Sequence, residues 1–284
     1  MLAYRHAFHA GNHGDVLKHI VLMQVLRYMN LKDKGWRFVD THAGAGGYSL
    51  QSAYARKKGE YELGIGRLWE RQDLPPLVAE YLGLIQQFNG GGERKAQLRQ
   101  YPGSPALAHA MSRPQDQLRL FEMHPTDYRV LASYLAEEPG VEVRMADGFE
   151  GLKSRLPPPT RRGLTLIDPS YEIDRDYSRV VAALRDGMQR FADGVYMVWY
   201  PVVGKLPAVQ LPKRLKALGA RRWLHARLTV QKFDASGFGM AGSGVFIINP
   251  PHTLHAELEG LMPWLHEALK QYEGGGWVVE QKAD

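Results

Sequence analysis

The sequence predicts an α/β fold, a Rossmann-like, doubly wound and mostly parallel sheet of seven strands. Three observations lead there. Short apolar runs alternate with helix-patterned segments over most of the chain. The first such run, "WRFVD" (36–40), stops at an aspartate and runs into a glycine-dense turn, "THAGAGGY" (41–48). Near the end, two apolar runs follow one another with no helix between them, which predicts an antiparallel terminal hairpin.

Taken in order, 4–15 has mixed polarity and reads as a loop. "DVLKHIVLMQVLRYM" has apolar residues at helical spacing and predicts an amphipathic helix capped by Asp15. After the glycine turn, "YSLQSAYARKK" begins helical, and "PPLVAEYLGLIQQF" is a helix opened by proline. The second core strand, "QLRLFE", does not arrive until Gln117, whereas a βαβ unit needs only about 30 residues. The excess predicts a small helical insertion at 52–100 within a single domain spanning 1–284. Alternation then resumes. "VEVRMADG", "RRGLTLIDPSY" and "GVYMVWYP" are strands, with helices at "TDYRVLASYLA", capped by Thr126, and at "FEGLKSRL", "SRVVAALRDGMQRF" and "LPKRLKALG". "RWLHARLTVQ" and "GSGVFIINPP" form the hairpin, and "LEGLMPWLHEALKQY" is the last helix.

The formal charge of +6 and pI near 9.4 favour a polyanionic partner. Basic clusters at "ARKKG" and "GGGERKAQLRQ" flank the insertion and, with the N-terminal segment, suit contact with phosphates. With no cysteine, disulfides and thiolate metal sites are excluded. No apolar run is long enough to cross a bilayer, and the start is too polar for a signal peptide. A cytoplasmic monomer is expected.

The glycine turn fits a dinucleotide fingerprint poorly, because Ser49 stands where its last glycine or alanine belongs. No Gly-Lys-Ser/Thr is present for a P-loop either. Such a turn suits an adenosine ligand without phosphates, S-adenosylmethionine (AdoMet), whose amino-acid end Asp40, His42 and backbone amides are placed to bind. Glu122 ends the next strand, where ribose hydroxyls are held, and Asp147 ends the third, within reach of an adenine amino group.

"TLIDPSYE" is the sharpest motif. Its residues suit methylation of an amino group on a flat heterocycle, whose lone pair is delocalised into the ring. Asp168 and the carbonyl of Pro169 accept the two N–H bonds, Asp168 takes the proton lost, and Tyr171 offers a face on which a flipped-out base stacks. His6, His9, His13 and His19 do not make a metal site, since the helix carries no His-x-x-x-His pair and no acid is placed as a third ligand. An aromatic, basic N-terminal segment suits RNA capture instead.

The chain resembles the bacterial ribosomal RNA large subunit methyltransferase J family over nearly its whole length. "YRHAFHAGNHGDVLKH", "DTHAGAGGY", "FEMHP", "ADG" and "DPSYE" stand in family order, with Ser170 where Asp-Pro-Pro-Tyr is usual. The resemblance implies a class I AdoMet-dependent fold with a helical insertion, and methylation of an adenosine N6 in 23S rRNA. It also implies cofactor contacts at Lys18, His19, His42, Ser104, Glu122, Asp147, Gly148 and Asp168. Asp168 is implied as the catalytic residue, with Pro169 and Tyr171 in the same motif, and Tyr4 as an RNA contact beside His6. DNA adenine methylation uses the same chemistry, but an insertion this small leaves little room for a duplex-reading domain. A non-catalytic RNA-binding protein on this fold has no need of the amino-group clamp.

Overall fold

Strand β1 (Arg37–Asp40) lies within an eight-stranded sheet whose order is the key to the molecule. The structure, a computed structural model, describes residues 5–92, 96–232 and 239–283. Tyr4, Arg94 and Lys95, expected to meet RNA, lie outside the described residues. Helix α1 (His13–Asn30) precedes β1. A short strand β2 (Gly47–Ser49) follows the glycine turn, then α2 (Ala53–Lys58), α3 (Ile65–Trp69) and α4 (Pro76–Phe88). Strand β3 (Gln100–Pro102) returns antiparallel to β2 and leads into α5 (Ser104–Ala110). The turn thus opens into a strand rather than directly into a helix.

From there strands and helices alternate: β4 (Gln117–Phe121), α6 (Pro125–Tyr134), β5 (Val141–Arg144), α7 (Gly148–Lys153), β6 (Gly163–Ile167), α8 (Arg175–Arg190), β7 (Val195–Val202) and α9 (Leu206–Lys216). The chain closes with β8 (Trp223–Thr229), β9 (Gly242–Ile248), α10 (Leu254–Leu269) and β10 (Gly276–Lys282). The sheet order is β5-β4-β1-β6-β7-β9-β8-β10. The seven expected strands are present, and β8 and β9 pair antiparallel. An eighth strand was not expected: β10 adds to the edge of β8, antiparallel to it. The first five strands in that order are mutually parallel.

Both faces of the central strands are covered, so β6, β7 and β9 read as mostly apolar runs, while the edge strands β5 and β10 are mixed. Phe38, Leu166 and Ile247 enter one core with α1, α4, α5 and α10, while Val39, Ile167 and Phe246 enter the other with α7, α8 and α9. Helix α1 is buried almost all round rather than amphipathic, because it lies between the sheet and the helices α4, α5 and α10. Its cap is Asn12, whose side chain accepts from the amides of Gly14 and Asp15. Asp15 is thereby released for another task. Helix α6 is likewise capped by His124 rather than Thr126, with Pro125 in its first turn.

Candidate active site

The order in which strands are added to the sheet reverses at β1, although its neighbours β4 and β6 both run parallel to it. The segment leaving it crosses to β4 and β5 on one side, and later strands build β6 and β7 on the other. Open α/β sheets hold ligands outside the carboxyl ends of the strands at such a switch point. In register, Asp40 pairs with Leu120 of β4 and Leu166 of β6, so Asp40, Glu122 and Asp168 end three adjacent parallel strands. A cavity of about 280 Å³ opens there, lined by Glu122 and Asp168 together with His6, Lys18, His19, His42, Ser104 and Pro169. Its size is near the lower end of small-ligand sites, roughly 300 Å³.

The glycine turn supplies one wall. Gly44 has a left-handed φ of 63°, and a Cβ there would stand 2.1 Å from the Tyr48 hydroxyl oxygen, so the position accepts only glycine. Its amide donates to Glu122 Oε2 at 2.8 Å, and the His124 amide donates to Oε1 at 2.6 Å. Burial still pushes the Glu122 carboxyl above its ordinary pKa.

Asp40 is fully buried and is not among the cavity-lining residues. It accepts from Ser104 Oγ at 2.6 Å and from the His42 amide at 3.2 Å. Its expected contact with a ligand is therefore replaced by a supporting one: it fixes Ser104 and His42, which do line the cavity. Burial pushes Asp40 up to about 7 and His42 down to about 4.

Helix α1 brings charge in from the other side. Lys18 Nζ lies 2.6 Å from Asp168 Oδ2 and 2.9 Å from Asp15 Oδ1. Asp15 Oδ2 also accepts from the Gly11 amide at 2.9 Å and meets His6 Nε2 at 2.8 Å. Burial opposes charge on both partners, yet Asp15 and Asp168 hold Lys18 well above the ordinary lysine value. His6 and Lys18 in turn hold Asp15 well below the carboxylate range. One turn on, His19 Nδ1 meets the Tyr101 hydroxyl at 2.8 Å, and that hydroxyl lies 2.6 Å from Tyr81 of α4. His19 Nε2 is buried without a partner, and burial pushes the ring down to about 3. A neutral, preoriented histidine facing the cavity with an unused nitrogen is what a polar ligand would satisfy. Together with the Gly44 cradle and Glu122, it shows that these residues fit an adenosyl amino acid.

Several expected contacts fall elsewhere. Tyr171 has a left-handed φ of 54°, which turns its ring back into the core. It is 4% exposed, packs 4.7 Å from Tyr177 and does not line the cavity, so it presents no stacking face. Asp147 caps α7 through the Phe149 amide at 3.0 Å and pairs with Arg179, while Gly148 packs so closely that a Cβ would stand 1.8 Å from the Thr41 carbonyl oxygen. Neither lines the cavity; Arg179, from α8, does. Asp15 and Arg179 were missed from sequence. The Asp15–Lys18 spacing of an i,i+3 pair was the one available signal for the first, and nothing marked the second. Among the described residues no cluster of three or more His, Asp or Glu is arranged to hold a metal ion, and no helix is long and apolar enough to cross a membrane.

Comparison with known proteins identifies the family. A profile of the family described as "Ribosomal RNA large subunit methyltransferase D, RlmJ" matches residues 33–282. The ribosomal RNA large subunit methyltransferase J of Haemophilus influenzae is 46% identical over 280 residues, 99% of this chain and 98% of that protein. Its Escherichia coli K12 counterpart is 44% identical over 285 residues, 99% of this chain and 100% of that protein. The crystal structure of protein LPL1258 from Legionella pneumophila superposes with a TM-score of 0.88 at 36% identity, covering 96% of this chain and 98% of that one. The chain therefore belongs to the RlmJ family of ribosomal RNA large subunit methyltransferases, AdoMet-dependent enzymes.

Proposed function

We propose that this enzyme methylates the exocyclic N6 of an adenosine in 23S rRNA, as a cytoplasmic monomer, with the base flipped out of its stack. One observation carries the reading: Asp168 faces the same cavity as Glu122 and the glycine turn, at the ends of strands flanking β1. Bound AdoMet supplies an electrophilic methyl group. Glu122, His19, Ser104, His42 and Lys18 hold it, and Asp147 and Gly148 shape the far end of its cradle from behind.

Asp168 and the Pro169 carbonyl accept the two N–H bonds of the target amine. This aims its nitrogen and localises a lone pair otherwise shared with the ring. Asp168 then takes the proton released as the new N–C bond forms. Tyr171 serves from beneath, as a brace for the turn. Tyr4 and His6, with the basic residues around 52–100, meet the RNA backbone, so RNA affinity falls as salt rises.

The test is transfer from radiolabelled AdoMet to 23S rRNA, followed by nucleoside digestion. Label should appear in N6-methyladenosine, and Asp168→Ala should lower the rate by roughly 10²–10⁴-fold with a much smaller change in AdoMet affinity. Undiminished transfer by that variant would remove Asp168 from its role. Label found on DNA alone would make the enzyme a DNA adenine methyltransferase.

A further inference from the structure

Lys18 is 4% exposed and its ammonium is shared by two carboxylates, Asp168 at 2.6 Å and Asp15 at 2.9 Å. The two acids are not equivalent. Asp168 is 13% exposed at the cavity wall, where a substrate amine competes for its oxygens. Asp15 is 2% exposed and anchored from behind by the Gly11 amide and His6. Trp199 closes the same side, with Lys18 Nζ 5.5 Å from its ring and its indole N–H donating to the Gly14 carbonyl at 3.2 Å.

We propose that Asp15 is a positioning residue for methyl transfer: it is the resident counter-anion that keeps Lys18 charged and in place while Asp168 turns to the incoming amino group. A buried ammonium left with no anion carries a large desolvation penalty. With Asp15 present, the Lys18–Asp168 contact can loosen without stranding the charge. With Asp15 neutral, Lys18 has only Asp168 among these two acids, and the pair locks against the substrate. His6, on the other oxygen of Asp15, is held to the same anchor, so Asp15 also joins the N-terminal segment to the reacting carboxylate. This inference rests on the role given to Asp168 above.

The experiment is a double-mutant cycle in the full-length enzyme, with Asp15→Asn, Lys18→Met and the pair, read by steady-state transfer to 23S rRNA. Asp15→Asn should lower kcat by roughly 10²-fold while KM for AdoMet stays close to wild type. In the Lys18→Met background the same substitution should cost no more than about 2-fold, because Asp15 acts through Lys18. Losses that multiply, a wild-type kcat in Asp15→Asn, or a loss confined to KM would overturn the proposal. Should Asp15→Asn fail to fold, Asp15→Ser, which keeps a neutral acceptor near the Gly11 amide, takes its place in the cycle. Failure of both to fold assigns Asp15 to folding alone and overturns it too. An Asp168→Ala control separates the two ideas: full transfer there defeats the site reading, whereas lost transfer with a multiplicative cycle defeats only the role of Asp15.

Discussion

The hydroxyl of Tyr171 donates to the carbonyl oxygen of Trp199 at 2.7 Å. That bond ties the end of the Asp168–Tyr171 turn to β7, the neighbouring parallel strand. The turn has no second proline to stiffen it, since Ser170 occupies that place. Rigidity comes instead from the left-handed Tyr171, whose ring wedges between Tyr177 and Trp199. Asp168 and Pro169 face the cavity from a turn pinned at its far side.

Tyr171→Phe should therefore cost about 1 kcal/mol of stability, the worth of one buried hydrogen bond, and lower transfer less than about 10-fold. Tyr171→Ala empties a core site and should cost about 3–5 kcal/mol while bringing transfer close to that of Asp168→Ala. Urea unfolding and single-turnover assays measure the two effects. A residue that stacked on the base would give the opposite pattern, with Phe neutral in both stability and rate.

Glu122 joins the glycine turn to the start of α6, accepting from the Gly44 amide at one oxygen and from the His124 amide at the other. Bonds to a charged acceptor are worth about 1.5–3 kcal/mol each. Glu122→Ala should weaken AdoMet binding by roughly 10–100-fold in a calorimetric titration. Glu122→Gln keeps one acceptor oxygen but turns an amine toward an amide N–H, so it should fall between wild type and Ala. Wild-type affinity in the Ala variant would show that the turn keeps its shape without this brace.

What could be read in advance follows from burial. Strands β1, β6 and β9 are covered on both faces, so their sequences are short, mostly apolar runs, and the ends of β1 and β6 mark the site. Strand β10 has only partly covered residues and mixes Trp277 and two valines with Glu280, Gln281 and Lys282, so no run announces it. Asp15 was read as a cap because an aspartate before an apolar helix usually is one. Asn12, three residues earlier, does that work and leaves Asp15 inside the helix, paired with Lys18. Asp147 stands three residues past the end of β5 as the cap of α7, and its partner Arg179, 32 residues away, takes the carboxylate. Hydrophobic period locates the rim of a sheet. Which rim acids reach the ligand is decided by long-range partners that no local pattern encodes.

Acid should destabilise the enzyme well before its carboxylates titrate in bulk, and the sign follows from four enclosed histidines. Burial pushes His13 and His42 down to about 4 and His19 to about 3, and it lowers His225 as well. Each stays neutral in the folded chain where the unfolded chain takes a proton, so each contributes stability that is full above an ordinary histidine pKa of about 6.5 and is lost as pH falls toward the folded values. Asp40, pushed up to about 7, works the other way: folded Asp40 keeps a proton that the unfolded chain releases, so its contribution is full below about 3.8 and is lost as pH rises toward 7. Glu122 and Asp176, raised by burial, act in the same direction as Asp40. Four histidines against three carboxyls leave a net uptake of protons on unfolding near pH 5, and the melting midpoint should drop from pH 7 to pH 5. Asp40→Asn removes one opposing proton and should make that drop steeper, even if it lowers stability at every pH. A midpoint flat or rising toward pH 5, or an unchanged slope in Asp40→Asn, would place these protons elsewhere. Differential scanning calorimetry in matched ionic strength reads both slopes directly, and the same samples assayed for AdoMet binding show whether His19 and His42 lose the cofactor before the fold is lost.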